Sequence, residues 1–277
     1  MTGLLLAAVV IGAIGIIIGV LLGIASEKFK VEVDEKEILV RAELPGNNCG
    51  GCGFPGCDGL AAAIAAGTAP VNGCPVGGAP VGEKIAAIMG VSAGAEEKMV
   101  AFVPCSGAEG VAVKRFNYKG PQDCQAAMLF GGKSNKECRF ACIGLGNCAR
   151  ACKFGAMHIV NGVAKVDRDK CVGCMACASV CPRHLIVPVE PDRNVVIACA
   201  SLAKGAVTTR GCTVGCIGCG LCKKVCPKDA ITVEKNLARI DYSKCDNCGL
   251  CATVCPKKLI RDSNVENLGE PKPVVQA

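Results

Sequence analysis

Two stretches decide the reading of this chain: Cys216-x2-Cys219-x2-Cys222-x3-Cys226-Pro227 and Cys245-x2-Cys248-x2-Cys251-x3-Cys255-Pro256. A third has the same form, Cys171-x2-Cys174-x2-Cys177-x3-Cys181-Pro182. Three thiolates on one tight loop reach three corners of a cubane, and the fourth ligand comes from elsewhere. This is the bacterial ferredoxin run, whose fourth Cys serves the other cluster of a pair. Zinc sites, the alternative, use pairs of Cys rather than triplets closed by Cys-Pro. The partner of the third run is irregular, Cys138-x3-Cys142-x5-Cys148-x3-Cys152, and is followed by Lys153 rather than Pro. Its position identifies it, since eighteen residues separate Cys152 from Cys171, as they do Cys226 from Cys245. The spacing therefore predicts two ferredoxin-like double modules, the first with a stretched opening loop.

Crossed ligation assigns four [4Fe-4S] clusters. The first module is expected to group Cys138, Cys142 and Cys148 with Cys181, and Cys171, Cys174 and Cys177 with Cys152. In the second, Cys216, Cys219 and Cys222 take Cys255, and Cys245, Cys248 and Cys251 take Cys226. A fifth site is Cys49-x2-Cys52-x4-Cys57-x16-Cys74, set among Gly50, Gly51, Gly53 and Gly56. Those glycines let backbone N–H groups approach cluster sulfur closely. Four cysteines remain: Cys105, Cys124, Cys199 and Cys212. Val103-Pro104-Cys105-Ser106 precedes one module as Ile197-Ala198-Cys199-Ala200 precedes the other, so these four are either a sixth cluster or buried structural thiols.

Composition agrees with metal ligation. The chain has 24 Cys in 277 residues, no Trp, 2 Tyr and 7 Phe. Aromatic packing can contribute little, so bound metal must supply folding free energy, and the metal-free chain is expected to unfold beyond its first helix. Free thiolates in this number imply a reducing, cytosol-like compartment for the cysteine-bearing part. The formal charge of +7 would suggest nucleic acid, but six clusters and their thiolates bring it to about −5. The basic residues thus compensate cluster charge, and nucleic acid is not expected as a partner. His158 and His184, the two histidines, sit in no ligand pattern. No dinucleotide fingerprint, P-loop or nucleophile–base pair is evident, so no residue is assigned a catalytic role and hydride chemistry is left to a partner.

Leu4 to Ala25 is an uncharged run, about 33 Å long as a helix and so sufficient to cross a bilayer. The N-terminus lacks the basic segment of a signal peptide, and the thiols together with Lys28 and Lys30 put it outside, with the body in the cytoplasm. Gly15, Gly19 and Gly23 repeat every four residues, a smooth face for a helix of a membrane partner.

The Cys49–Cys74 motif just after an N-terminal apolar helix, followed by ferredoxin modules, resembles the B subunits of the Rnf complexes, the ion-translocating ferredoxin:NAD⁺ oxidoreductases. The resemblance covers nearly the whole chain, although shorter members carry one ferredoxin module where this chain has two. It implies that reduced ferredoxin feeds the modules and that electrons leave through the Cys49–Cys74 cluster. They would pass to membrane subunits with flavin and NAD sites, driving Na⁺ or H⁺ transport. Lys223, Lys224, Lys228, Lys257 and Lys258 are candidates to guide an acidic ferredoxin, or to offset cluster charge locally. A relay for another membrane reductase is the alternative.

The fold class expected is α+β, in small metal-stabilised modules. The divisions are a transmembrane helix (1–26), a linker (27–45), a 4Fe-4S domain (46–100) and a connecting segment (101–135). Ferredoxin-like module 1 (136–190), a second connecting segment (191–212), module 2 (213–262) and a loose tail (263–277) complete the chain. A helix over Val81 to Lys98, broken or bent at Gly90 and Gly94, belongs to the 4Fe-4S domain.

Overall fold

Glycine, proline and cysteine loops interrupt the sequence so often that its elements after the first are short. The computed structural model describes residues 2–28, 34–94, 98–129 and 134–261. Helix α1 (Thr2–Lys28) carries the apolar run. Its described side chains run unbroken from Gly12 to Ala25 and are nearly all exposed. Among the described residues no helix is long and apolar enough to cross a membrane. Val31, Val33 and the tail from 263 lie outside the described residues.

Three small cores follow. Helix α2 (Glu35–Glu43) starts at Asp34, whose carboxylate accepts the Lys36 N–H at 2.9 Å and so satisfies one orphan donor of the first turn. It packs on α3 (Cys57–Ala65) and α4 (Gly78–Met89) through Val40, Leu44, Leu60, Ile64 and Ile85. Helix α4 ends at Gly90, which takes φ +71° and donates its N–H to the Ala86 carbonyl. The helix expected to reach Lys98 therefore stops at the residue that glycine alone adopts without strain.

The second core is built from β1 (Val100–Phe102), α6 (Asn147–Ala151), the hairpin β2 (Met157–Val160) and β3 (Val163–Val166), α7 (Ala176–Ser179) and β4 (Val187–Val189), while α5 (Cys124–Leu129) packs beside it in a small cluster of Cys124, Ala127 and Ile143. The third repeats the plan with β5 (Val196–Ile197), α9 (Leu221–Val225), β6 (Ile231–Glu234), β7 (Leu237–Ile240), α10 (Leu250–Thr253) and β8 (Ile260–Arg261), and α8 (Gly205–Gly211) leads into it. In each, the first strand pairs antiparallel with the last, β1 with β4 and β5 with β8. The hairpins turn on Asn161-Gly162 and Lys235-Asn236, all four at positive φ, as a two-residue turn matched to strand twist demands. The segments expected as connectors are therefore part of the modules, since each supplies a closing strand.

The two repeats are also sewn together. The Val113 N–H bonds the Gly211 carbonyl at 3.0 Å and the Thr213 N–H bonds the Val111 carbonyl at 3.1 Å. Around them Val111, Cys212 and Val214 form a small buried cluster of their own.

Candidate iron–sulfur centres

All 24 cysteines are free thiols, and the fold gathers them around recesses. Cys49, Cys52, Cys57 and Cys74 line one of about 300 Å³, measured to its open mouth. Gly56 opens α3 at φ +138°, and Asn48 Oδ1 accepts the Cys57 N–H at 2.8 Å. The Gly77 N–H points at Cys74 Sγ, 3.4 Å away. Cys216, Cys219, Cys222 and Cys255 line a second recess of about 380 Å³, the expected crossed set. Cys245 and Cys248, with Cys222, are the electrostatic neighbours of Cys251, whose thiol burial first and these groups next push up to about 12. Cys226 caps α9 and packs on the same core. Cys171, Cys174 and Cys152 likewise surround Cys177, which burial first of all raises to about 11.

The first half of module 1 departs from expectation. The recess of about 390 Å³ there is lined by Cys124, Cys142, Cys148 and Cys181. Cys138 lies elsewhere, in a recess of about 370 Å³ with Cys105, Cys199 and Cys212. The expected groupings of Cys138 with Cys142, Cys148 and Cys181, and of Cys124 with Cys105, Cys199 and Cys212, are both corrected by one exchange. The reason lies in α5. Asp123 Oδ1 accepts the N–H groups of Gln125 and Ala126 at the head of this helix. Asn147 Oδ1 holds the Cys124 N–H at 2.8 Å, Asn147 Nδ2 donates to Asp123 Oδ2, and Arg150 donates to Asn147 Oδ1. The network fixes Cys124 beside Cys148. Burial first, then Cys142, Cys124 and Cys181 among its neighbours, push the Cys148 thiol up to about 12.

A polynuclear group fits these donor sets better than a single ion. Tetrahedral zinc with sulfur at about 2.3 Å draws its ligands to within about 4 Å of one another. Among the described residues no group of three or more His, Cys, Asp or Glu side chains is placed to hold a single metal ion. Four sulfurs instead ring a space, several of them accepting backbone N–H bonds: Ala101 to Cys171 and Ala156 to Cys152, both at 3.3 Å. The raised thiol pKa values mean that a metal must displace protons to bind.

The recesses touch in sequence. A Cβ added to Gly51 would fall 2.7 Å from the Cys174 Cβ, and Lys153 Nζ donates to the Asn48 carbonyl at 3.0 Å, so the Cys49–Cys74 site abuts the Cys171–Cys177 loop. Helices α6 and α7 bring Cys148 near Cys177, and α9 and α10 bring Cys222 near Cys251. On the outer repeat Cys219 and Cys248 are exposed, as are Lys223, Lys224, Lys228 and Lys258, while Lys257 is half-buried.

Comparison with known proteins fits this geometry. The FeS family, an Fe-S cluster family, matches residues 44–76, a 4Fe-4S dicluster domain matches 215–259 and a 4Fe-4S binding domain matches 164–187. The chain is 44% identical over 236 residues to the B subunit of the Na⁺-translocating ferredoxin:NAD⁺ oxidoreductase complex of Acetobacterium woodii, covering 85% of this chain and 71% of that one. It is 41% identical to the B subunit of the proton-translocating ferredoxin:NAD⁺ oxidoreductase complex of Clostridium ljungdahlii, covering 88% and 87%. Identity to the B subunit of the ion-translocating oxidoreductase complex of Methanosarcina acetivorans is 39%, covering 85% and 89%. The chain belongs to the family of B subunits of the ion-translocating ferredoxin:NAD⁺ oxidoreductase (Rnf) complexes.

Within this Rnf-family chain the exchange of Cys124 and Cys138 carries a sequence signal. Cys142, Cys148 and Cys152 stand 74 residues before Cys216, Cys222 and Cys226, and Leu145 occupies the place of Cys219. The regular run lacks its middle cysteine, and Cys124, from the segment between β1 and α6, lines the same recess as Cys142 and Cys148. Cys138 by the same offset is the counterpart of Cys212. Sequence reasoning also passed over Lys136, 3% exposed, whose Nζ donates to the carbonyls of Cys142 at 2.9 Å and Gly162 at 2.7 Å. Burial lowers its pKa, while Cys105, Cys142 and Cys212 act to raise it. A lysine between two cysteines looks like surface in a sequence, and only the fold reveals its burial.

Proposed function

We propose that this Rnf-family chain relays single electrons from a docking face on its outer ferredoxin repeat to its N-terminal centre, and from there to membrane subunits. The chain is the iron–sulfur electron-relay subunit of a ferredoxin:NAD⁺ oxidoreductase complex. The observation that supports the path is the closeness of successive cysteine groups: Gly51 against the Cys174 loop, Cys148 near Cys177, Cys138 with Cys212 between the repeats, and Cys222 near Cys251. A [4Fe-4S] cluster accepts and donates one electron at a time; the protein sets spacing, charge and access.

Five sets of residues would hold clusters in this reading: Cys49, Cys52, Cys57 and Cys74; Cys152, Cys171, Cys174 and Cys177; Cys124, Cys142, Cys148 and Cys181; Cys216, Cys219, Cys222 and Cys255; and Cys226, Cys245, Cys248 and Cys251. The donor is reduced ferredoxin, and Lys223, Lys224, Lys228 and Lys258 form a basic rim beside the exposed Cys219 and Cys248 loops, suited to an acidic carrier. Gly51 serves as the contact through which the N-terminal domain lies directly against the Cys174 loop. Helix α1 anchors the chain in the cytoplasmic membrane with the N-terminus outside. An added Cβ at Gly15, Gly19 or Gly23 meets nothing within 4 Å, which leaves this face to a partner helix. Flavin and NAD chemistry then belongs to other subunits. The relatives are named for different ions, Na⁺ and protons, and the ion is a property of those membrane subunits.

The test is anaerobic purification of the full chain in membranes or detergent. Iron and acid-labile sulfide should be present, and reduced ferredoxin should bleach the visible absorption. A colourless protein, or a holoprotein that ferredoxin cannot reduce, would overturn this reading.

A further inference from the structure

A tight turn follows Cys181 in module 1. The His184 N–H closes on the Cys181 carbonyl at 2.9 Å, and His184 takes φ +48°. Pro182 and Arg183 are therefore the central pair of the turn, with proline at the position its fixed φ favours. Module 2 repeats the turn 74 residues later: the Lys258 N–H closes on the Cys255 carbonyl at 3.1 Å, and Lys258 takes φ +47°. Arg183 and Lys257 thus hold equivalent places, each two residues beyond a cysteine. Arg183 lines the recess of Cys124, Cys142, Cys148 and Cys181, and Lys257 lines that of Cys216, Cys219, Cys222 and Cys255. Both are half-buried, unlike the exposed lysines of the basic rim.

The state of their donors separates the two. Among the described residues Nε and Nη2 of Arg183 are buried without a hydrogen-bond partner, whereas the Lys257 ammonium is not in this condition. No carboxylate among the described residues forms an ion pair with the Arg183 guanidinium. The groups that act on its charge are Cys138 and Cys181. Those two cysteines line different recesses, and Arg183 is part of the wall only in that of Cys181. A buried N–H without an acceptor is costly, and a buried cation without an anion more so. One negatively charged acceptor within this recess would satisfy both.

Resting on the relay reading, we infer that Arg183 donates these N–H groups to sulfur of the [4Fe-4S] centre at Cys124, Cys142, Cys148 and Cys181, and so raises its reduction potential. Hydrogen bonds to the sulfurs and net charge are among the determinants of that potential. Reduction adds one negative charge, so a fixed cation and charge-assisted donors stabilise the reduced form more than the oxidised one. Arginine suits this task better than lysine. Its planar fork presents several N–H groups in fixed directions, it stays protonated, and it is more weakly hydrated. The turn supplies the placement, because it ties the guanidinium stem to the backbone of a ligating residue. The transfer concerned moves one electron from the outer repeat to this centre; no bond forms or breaks, and Arg183 keeps its proton. An electron that has crossed between the repeats then rests on the inner module rather than returning, which gives the relay a direction.

The test is a potentiometric titration of the full-length holoprotein followed by electron paramagnetic resonance, with Cys124→Ala identifying the signal of this centre. Arg183→Met should keep the wild-type content of iron and sulfide. It should make this centre harder to reduce by about tenfold or more, about 59 mV for one electron, while the other potentials stay in place. Arg183→Lys keeps the charge and loses the fork, and should fall between wild type and Arg183→Met. It also carries the test if Arg183→Met loses the centre. An unchanged potential in either variant would overturn the role of Arg183. Loss of this centre's iron from both variants would make Arg183 a residue of assembly and would overturn it equally. Absence of iron from the wild-type chain would overturn the relay reading itself, whereas a wild-type chain that ferredoxin reduces, with potentials unmoved in the variants, would sink the inference about Arg183 alone.

Discussion

Replacing Gly51 with alanine probes how the N-terminal centre meets the rest of the relay. A Cβ there would stand 2.7 Å from both the Cβ and the carbonyl oxygen of Cys174, and 3.0 Å from its Cα. Ordinary contact begins at 3.4 Å, so the surfaces must part by about 0.7 Å. None of these atoms is the free end of a flexible side chain that can swing aside. Overpacking of this kind costs about 1–3 kcal/mol, which weakens docking about 5- to 150-fold. Hydrogen exchange should therefore accelerate at the amides around residues 49–52 and 173–175. In rapid-mixing reduction by ferredoxin, the Cys49–Cys74 centre should lag while the ferredoxin modules reduce at their normal rate. Gly67→Ala is the control: Gly67 has φ +72° with nothing within 4 Å of an added Cβ, so it adds local strain without touching the junction. Unchanged exchange and unchanged transfer in Gly51→Ala would refute the docking on the Cys174 loop.

Other expectations follow from the same geometry. Lys153→Ala removes the donor to the Asn48 carbonyl and should loosen the same junction, seen as faster exchange at Asn48 with the module 1 clusters intact. Transfer from reduced ferredoxin should slow as ionic strength rises, since screening shortens to about 10 Å at 0.1 M salt, and Lys223→Glu with Lys224→Glu should slow it further at low salt; rates indifferent to both would exclude basic steering. The Asp123 carboxylate is held below its ordinary range first by the Ala126 N–H, then by Asn147. Its stabilisation is complete above the unfolded carboxylate value and is lost as pH falls through the lowered one, so acid should release the α5 centre earlier in Asp123→Ala than in wild type. Parallel acid-release curves would count against this network. Removing iron with an anaerobic chelator should abolish the circular dichroism of the modules while helical signal from α1 persists; a native spectrum without metal would show that the cores stand alone.

The ferredoxin runs were legible because their ligation is local. Spacings of three, three and four residues leave Cys216, Cys219 and Cys222 no choice but a common centre. Gly90 was legible as a break or bend in the helix expected to reach Lys98, and the structure makes it the end. Cys124 was not legible in this way, because Asp123 and Asn147, far apart in sequence, decide where it points. Reading the Cys138 run as a stretched loop kept the count of four and misassigned a ligand. Aligning the repeats by Cys148 and Cys152 instead exposes Leu145 as the missing cysteine. The pairing of β1 with β4 and of β5 with β8 escaped notice for a related reason: two or three residues carry no periodicity, and these partners lie a whole module apart.

The sewing of Val111 and Val113 to Gly211 and Thr213 has a consequence for biosynthesis. Residues 105 and 138 leave the ribosome long before residues 199 and 212, so the earlier half must wait with an unfinished wall. Folding of the chain is thus ordered in time. The N-terminal domain can fold first, the seam between repeats forms once residues 211–213 have emerged, and the second module closes last, when β8 pairs with β5.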